Sequence, residues 1–227
     1  MMHRHVVKEN VLNYLRKNQK LGLSKATKQI KLDAEQNNVP IIPEETVAFF
    51  KFLFSQRSVD NVLEVGTAYG FSSSMFRDFL PKAHITTIDR FDLMIDRATS
   101  NFEKYHLDNI KLLAGQAQDI LPTLEKNTYD CIFLDCAKSK YIEFLPVCLS
   151  LLRKKGMIII DDVFQGGTVF DDYNSIKRGQ RKIHKRLNQL LQVVNDTNGL
   201  TSCLLPLGDG LLLITKETDI KLDLHLD

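Results

Sequence analysis

Short apolar runs alternate with helix-length segments along most of this 227-residue chain, and that alternation constrains the fold more than any other feature. The runs fall at 61–65, 84–88, 110–114, 129–134 and 157–160, and segments of helical length lie between them at 70–80, 92–106, 118–126 and 140–153. Strand, helix, strand, helix implies parallel strands buried on both faces by helices. The end departs from this rhythm. In "SCLLPLGDGLLLITK" two apolar runs flank Gly208-Asp209-Gly210, which reads as a hairpin. The start differs too: 6–20 and 24–37 read as polar helices, with Ser24 as N-cap of the second. Pro43-Glu44-Glu45 then suits the first turn of a third helix. Five βα units, a helix and an antiparallel pair follow. Pattern alone admits several doubly wound folds.

Bulk properties narrow the function classes. A hydrophobic fraction of 44% suits a full core, and a net charge of +2 leaves room only for a local polyanion-binding patch. No apolar run is long enough to span a bilayer, and the first ten residues lack an apolar signal core, so a cytoplasmic location is expected. Cys131, Cys136, Cys148 and Cys203 have no C-x-x-C or zinc spacing and read as reduced thiols. The six histidines are scattered and read as structural or surface residues.

Ligands of open α/β sheets sit beyond the carboxyl ends of the strands. There the chain places "VLEVGTAYGFSS", in which Glu64 precedes a loop containing Gly66, Thr67 and Gly70. A dinucleotide fingerprint needs glycines at 66, 68 and 71, where the chain has Gly66, Ala68 and Phe71, and the phosphate-loop G-K-[ST] is absent. A carboxylate before the loop repels pyrophosphate and favours a cation. S-adenosylmethionine (SAM), which carries a sulfonium and an ammonium, fits better than NAD. Asp89 ends the second run and suits ribose hydroxyls, while the Ala117 N–H and the Gln118 amide suit the adenine edge. Each alone is an ordinary loop polar. One per successive βα turn makes a nucleoside site.

Three further acids end the fourth and fifth runs. Asp135, with Lys138 three residues on, closes "FLDCAK", and Asp161 and Asp162 close "IIIDDV". Neighbouring strands lie about 4.8 Å apart, so these carboxylates are expected to converge. Close carboxylates need a proton or a cation between them, and all-oxygen ligation selects Mg²⁺, with Mn²⁺ or Ca²⁺ as alternatives. Paired acids after a strand also cap turns. Asp135 and Lys138 favour the cation reading.

Together "VLEVGTAYGFSS", "FLDCAK", "IIIDDV" and "LPLGDGLLLITK" resemble the cation-dependent O-methyltransferases of the catechol and caffeoyl-CoA type, over roughly residues 36–216. "AEQNNVPIIPEE" and "GDGL" resemble the bacterial branch that includes tRNA 5-hydroxyuridine methyltransferases. The resemblance implies a class I SAM-methyltransferase Rossmann-like fold: a seven-stranded, mostly parallel sheet with an antiparallel C-terminal hairpin and extra N-terminal helices. It implies one domain, with a helical extension at 1–38, a catalytic core at 39–216 and a tail at 217–227. Gly66 and Ser72 would hold the methionine part of SAM, Asp89 the ribose, and Ala117 and Gln118 the adenine, with Glu64, Thr67 and Gly70 completing the cofactor loop. Asp135, Asp161 and Asp162 would ligate the metal, Asp135 also standing near the SAM amine, and Lys138 would be the general base. The family usually has Asp-Asn where this chain has Asp161-Asp162, so Asp162 is the weaker assignment. Family analogy also implies a homodimer.

The acceptor is read from the segment after the fifth run. Ile183, Leu187, Leu190, Leu191 and Val194 make an apolar helical stripe, and Lys177, Arg178, Arg181, Lys182, Lys185 and Arg186 crowd the same stretch. A solvated basic face is the plain meaning, and a phosphate-binding ridge for tRNA the sharper one. 5-Hydroxyuracil offers vicinal oxygens like those of a catechol, so a small hydroxylated aromatic is the alternative acceptor. A SAM-binding protein without catalysis and an NAD binder are the readings from other classes.

Overall fold

The structure, a computed structural model, describes residues 7–224. Two compact units form, one over Asn10–Thr123 and one from Leu124 onward together with the described residues up to Glu9.

In the first unit, helices α1 (Glu9–Asn18), α2 (Lys25–Gln36) and α3 (Glu44–Ser55) lead into β1 (Asn61–Val65), α4 (Phe71–Phe79), β2 (His84–Asp89), α5 (Asp92–Lys104), β3 (Ile110–Ala114) and the short α6 (Ala117–Ile120). The expected first helix began at residue 6, which lies outside the described residues. Ser24 caps α2 as expected, its hydroxyl accepting from the Thr27 N–H at 3.2 Å. Pro43 is the N-cap of α3, with Glu44 and Glu45 in the first turn. Arg16 holds the buried Glu45 carboxylate in a two-pronged pair at 2.9 and 3.0 Å, and Lys31 pairs with Glu44. These two basic residues of the N-terminal helices therefore serve packing. The strands run parallel in the order β3-β2-β1, with Glu64 opposite Thr87 and Asp89 opposite Ala114. Val62, Leu63, Ile85 and Ile88 are buried, as are Phe50, Phe54 and Phe76, whose rings meet at 5.4–5.8 Å. The helix expected over 118–126 shrinks to α6 and one 3-10 turn at Leu121–Thr123. Pro122 lacks the N–H that would continue it.

In the second unit, β4 (Tyr129–Leu134), α7 (Tyr141–Leu151) and β5 (Leu152–Ile160) are followed by a run of 3-10 turns, then α8 (Arg181–Asp196), β6 (Leu200–Leu205) and β7 (Leu211–Lys216). Their order is β4-β5-β7-β6, the first pair parallel and the others antiparallel. The expected hairpin is present. Strand β5 begins earlier than the apolar run at 157–160, because Lys154 and Lys155 lie exposed at its start while Met157–Ile160 is buried. Leu187, Leu190 and Val194 of α8 are buried, as the apolar stripe requires. Three strands in one unit and four in the other make the seven-stranded, mostly parallel set with an antiparallel C-terminal pair. Among the described residues no helix is long and apolar enough to cross a membrane.

Candidate active site

The candidate residues fall into two sets, one in each unit. In the first unit the loop after β1 turns through left-handed conformations at Gly66, Ala68 and Gly70, with φ of 112°, 47° and 85°. Gly70 is the N-cap of α4, and a Cβ there would stand 2.4 Å from the Phe102 ring. Gly70→Ala is therefore expected to destabilise the protein by about 2–4 kcal/mol through strain and overpacking, read as a lowered Tm. Asp89 closes the loop from below. One carboxylate oxygen accepts from the Ala68 N–H at 2.9 Å and the other from the Arg90 and Phe91 N–H groups at 2.7 and 3.0 Å. Those bonds fill three of its roughly four acceptor positions, which leaves room for a further hydroxyl. Ala117 is half-buried at the start of α6, and Gln118 beside it is exposed.

Glu64 is completely buried. Its Oε2 accepts from the Ser73 and Thr87 hydroxyls, the latter at 2.6 Å, and Thr87 Oγ1 shares a 2.6 Å hydrogen bond with Thr67 Oγ1. Its Oε1 has no partner. Burial pushes the carboxyl up to about 7, the Ser72, Ser73 and Thr87 hydroxyls pull it back, and the Asp89 charge adds to the rise. A buried, half-satisfied acid beside a glycine loop suits a cationic ligand, and the residues present fit SAM.

In the second unit Asp135 and Asp162 both lie near enough to Asp161 for their charges to act on it. Leu134 pairs with Ile160, and the Asp161 N–H donates to the Leu134 carbonyl at 3.0 Å, so Asp135 and Asp161 follow two adjoining strand tips. Asp161 is 4% exposed, and its Oδ1 accepts from the Asp162 N–H at 2.7 Å. Burial raises its pKa well above the usual carboxylate range, and the charges of Asp135 and Asp162 raise it further, against the pull of the Asp162 N–H and Lys138. Asp162 is in the left-handed region at φ 59°. Its Oδ2 lies 3.2 Å from Lys138 Nζ. Tyr141, buried beside them, donates to the Cys136 carbonyl at 3.2 Å, and its hydroxyl is pushed upward by burial and the surrounding negative charge.

One residue that meets Lys138 was not singled out from the sequence. Asp209, read there only as a hairpin turn, places Oδ2 3.1 Å from Lys138 Nζ and accepts from the Gly166 N–H with Oδ1 at 2.6 Å. The same turn grips the loop after β5: Phe164 and Val163 N–H groups donate to the carbonyls of Asp209 and Gly210, and a Cβ on Gly210 would stand 2.4 Å from the Phe164 ring. An acid flanked by glycines was a readable signal, but its partners are 71 and 43 residues away. The surroundings of Lys138 act on its pKa in opposite directions. Burial does lower it, but the Asp162 and Asp209 charges and hydrogen bonds outweigh that, and the net direction is up. In this arrangement Lys138 is an ammonium.

Three mutually repelling carboxylates with all-oxygen chemistry fit a hard cation. The Lys138 ammonium, held between Asp162 and Asp209, supplies positive charge at that place. Among the described residues no three His, Cys, Asp or Glu side chains are gathered into a ready cage. The fit is thus one of donor chemistry, with the Asp162 carboxylate drawn toward Lys138.

The basic stretch divides. Lys177, Arg178, Lys182 and Lys185 are exposed. Arg181 donates to the Ile176 and Asn174 carbonyls at 2.9 and 3.3 Å, and Arg186 to Gln189 Oε1 at 3.4 Å, so these two also serve the local fold.

Comparison with known proteins bears on the family and the fold. The O-methyltransferase family model matches residues 17–217. A Dictyostelium discoideum protein named "Probable caffeoyl-CoA O-methyltransferase 2" is 26% identical, covering 91% of each chain. A Mycobacterium tuberculosis catechol O-methyltransferase is 28% identical, covering 51% of this chain and 54% of the relative. Among solved structures, a Staphylococcus aureus candidate caffeoyl-CoA O-methyltransferase superposes with a TM-score of 0.84 at 30% identity, over 92% of this chain and 100% of that one. A Podospora anserina methyltransferase solved with S-adenosylhomocysteine shares the fold at a TM-score of 0.81 and 24% identity, over 92% of this chain and 95% of that one. With a buried acid and glycine loop suited to a sulfonium donor, and a family match over nearly the whole chain, this protein belongs to the O-methyltransferase family and is a SAM-dependent O-methyltransferase.

Proposed function

We propose that the chain methylates the 5-hydroxyl of 5-hydroxyuridine at the wobble position of tRNA, acting in the cytoplasm as a homodimer with Mg²⁺ held by Asp135, Asp161 and Asp162. The observation that carries the acceptor is the set of four exposed cations, Lys177, Arg178, Lys182 and Lys185, in the unit that holds the carboxylate–lysine cluster. Such a set suits phosphates, those of RNA or of a coenzyme A thioester, and has no task in binding a neutral catechol. When bound, the divalent ion supplies positive charge that lowers the pKa of an acceptor hydroxyl.

The chain's own residues do the rest. Glu64, at the loop, favours the cationic donor, and Asp89 accepts from its ribose. Lys138 Nζ orients the acceptor oxygen as an ammonium. It takes the hydroxyl proton only after releasing its own proton to solvent, which requires that the negative charge of Asp162 and Asp209 be drawn off it. The oxygen then attacks the methyl carbon as the carbon–sulfur bond breaks, leaving S-adenosylhomocysteine. Orientation and fixed charge supply most of the acceleration.

A second reading takes its support from the relatives, whose names point to caffeoyl-CoA and catechol acceptors. One experiment separates the two. Labelled SAM is offered with bulk tRNA lacking the methyl group, with a catechol panel and with caffeoyl-CoA, each with and without Mg²⁺. Label in tRNA that disappears in excess EDTA is the expected outcome. Label confined to catechols or to caffeoyl-CoA would overturn the acceptor, and tRNA labelling undiminished by EDTA would remove the metal.

A further inference from the structure

Between β5 and α8 the chain holds two aromatic rings toward solvent. Phe170 is 65% exposed and Tyr173 45%. Both are fixed in place despite this. The Phe170 ring lies 5.1 Å from that of Phe164. The Tyr173 ring lies 6.0 Å from that of His184 and carries the Arg181 guanidinium 5.2 Å from its centroid. Arg181 is itself tied to the Ile176 and Asn174 carbonyls, and the His184 ring nitrogen lies 3.1 Å from the Asp171 carbonyl. Rings held rigid yet uncovered present flat apolar faces at little further ordering cost.

Their surroundings indicate what covers them. Lys177, Arg178, Lys182 and Lys185 are exposed and have no ion-pair partner among the described residues. The two acids of the stretch, Asp171 and Asp172, lie between the rings, and the Asp172 carboxylate accepts from the Asn174 N–H at 2.8 Å. A membrane surface needs a continuous apolar stripe, which these two acids interrupt. Two uncovered rings followed along the chain by unpaired cations match a nucleic-acid single strand, whose bases stack and whose phosphates seek positive charge. Location adds to this. Phe164, on which Phe170 packs, is two residues beyond Asp162, and its N–H donates to the Asp209 carbonyl at 2.8 Å. The platform therefore borders the carboxylate–lysine cluster.

We infer that Phe170 and Tyr173 are a stacking platform for nucleotides flanking the one that is methylated, with Lys177, Arg178, Lys182 and Lys185 on the adjoining phosphates. This rests on the RNA reading of the acceptor and names its contact surface. Arg181 and His184 are positioning residues that hold the Tyr173 ring.

The test is fluorescence anisotropy of a labelled anticodon stem-loop RNA with the full chain, over a salt series. Phe170→Leu and Tyr173→Leu keep an apolar side chain but remove the π face, and each is expected to weaken binding about tenfold. Phe170→Trp and Tyr173→Phe should bind as the parent does. Lys182→Ala should lower the slope of log affinity against log salt by about one, while the leucine variants leave that slope unchanged. Binding of S-adenosylhomocysteine by each variant checks that the fold persists. Salt-dependent RNA binding that the leucine variants retain in full would overturn the platform and leave the RNA reading standing. If the parent chain binds no RNA at low salt yet methylates catechols, the acceptor reading fails and the platform with it.

Discussion

Lys138→Ala lowers kcat by about 10²–10⁴-fold, the range typical for loss of a positioned acid or base, and leaves the KM for SAM near its parent value. The companion variants give this prediction its resolution. Asp209→Asn keeps an oxygen for the Gly166 N–H but removes one of the two negative charges that hold Lys138 as an ammonium. The Lys138 pKa then falls. Because the base must be neutral to accept a proton, activity in Asp209→Asn sets in at lower pH than in the parent. Asp209→Ala loses the loop contact as well, so it raises the acceptor KM in addition to moving the pH profile. A Lys138→Ala enzyme with full turnover at saturating SAM would end the base assignment. A pH profile in Asp209→Asn that coincides with the parent's would detach Asp209 from it.

Glu64→Gln produces opposite effects on stability and on donor binding. The carboxyl titrates near 4.5 when unfolded and at about 7 when folded. Its folded pKa is raised, so between those values the folded chain holds the extra proton. This acid's contribution to stability therefore falls as pH rises from 4.5, and the loss is complete above about 7. The full shift corresponds to something on the order of 3 kcal/mol. A glutamine amide removes that charge but leaves a buried N–H group where Oε1 now lacks a partner. The net gain at pH 8 is then about 1–2 kcal/mol, and it vanishes at pH 5, where the parent acid is itself neutral. Donor affinity moves the other way, falling about tenfold or more with loss of the charge-assisted interaction. Denaturant melts at the two pH values and calorimetric titration with SAM measure both. A variant that binds SAM as the parent does would remove Glu64 from the cofactor site.

Much of this chain could be read before its structure. The bounds of β1, β3 and β4 coincide with the apolar runs, because each is a short, mostly apolar stretch closed off by turn residues. The glycine loop and its acid were legible because φ near 85° at Gly70 and a charge ahead of the loop are local requirements. That Asp135 and Asp161 follow adjoining strand ends was legible because strand adjacency follows from topology and the residues after each strand share one rim. Where reading failed, the missing information was long-range. The partners of Lys138 come from two other chain segments, and which acid it pairs with depends on how the β6–β7 hairpin tip meets the loop after β5.

The order of secondary elements, the nucleoside-loop chemistry and the O-methyltransferase family were decided by the sequence itself, since each depends on neighbouring residues and their period. Folding alone decided that Lys138 is an ammonium, that Glu64 is dry enough to titrate near neutrality, and that Arg181 serves its own loop while Phe170 and Tyr173 face solvent. Charge state and exposure are set by burial and by groups distant in the chain. No count along the sequence records which of those groups arrive at the same place.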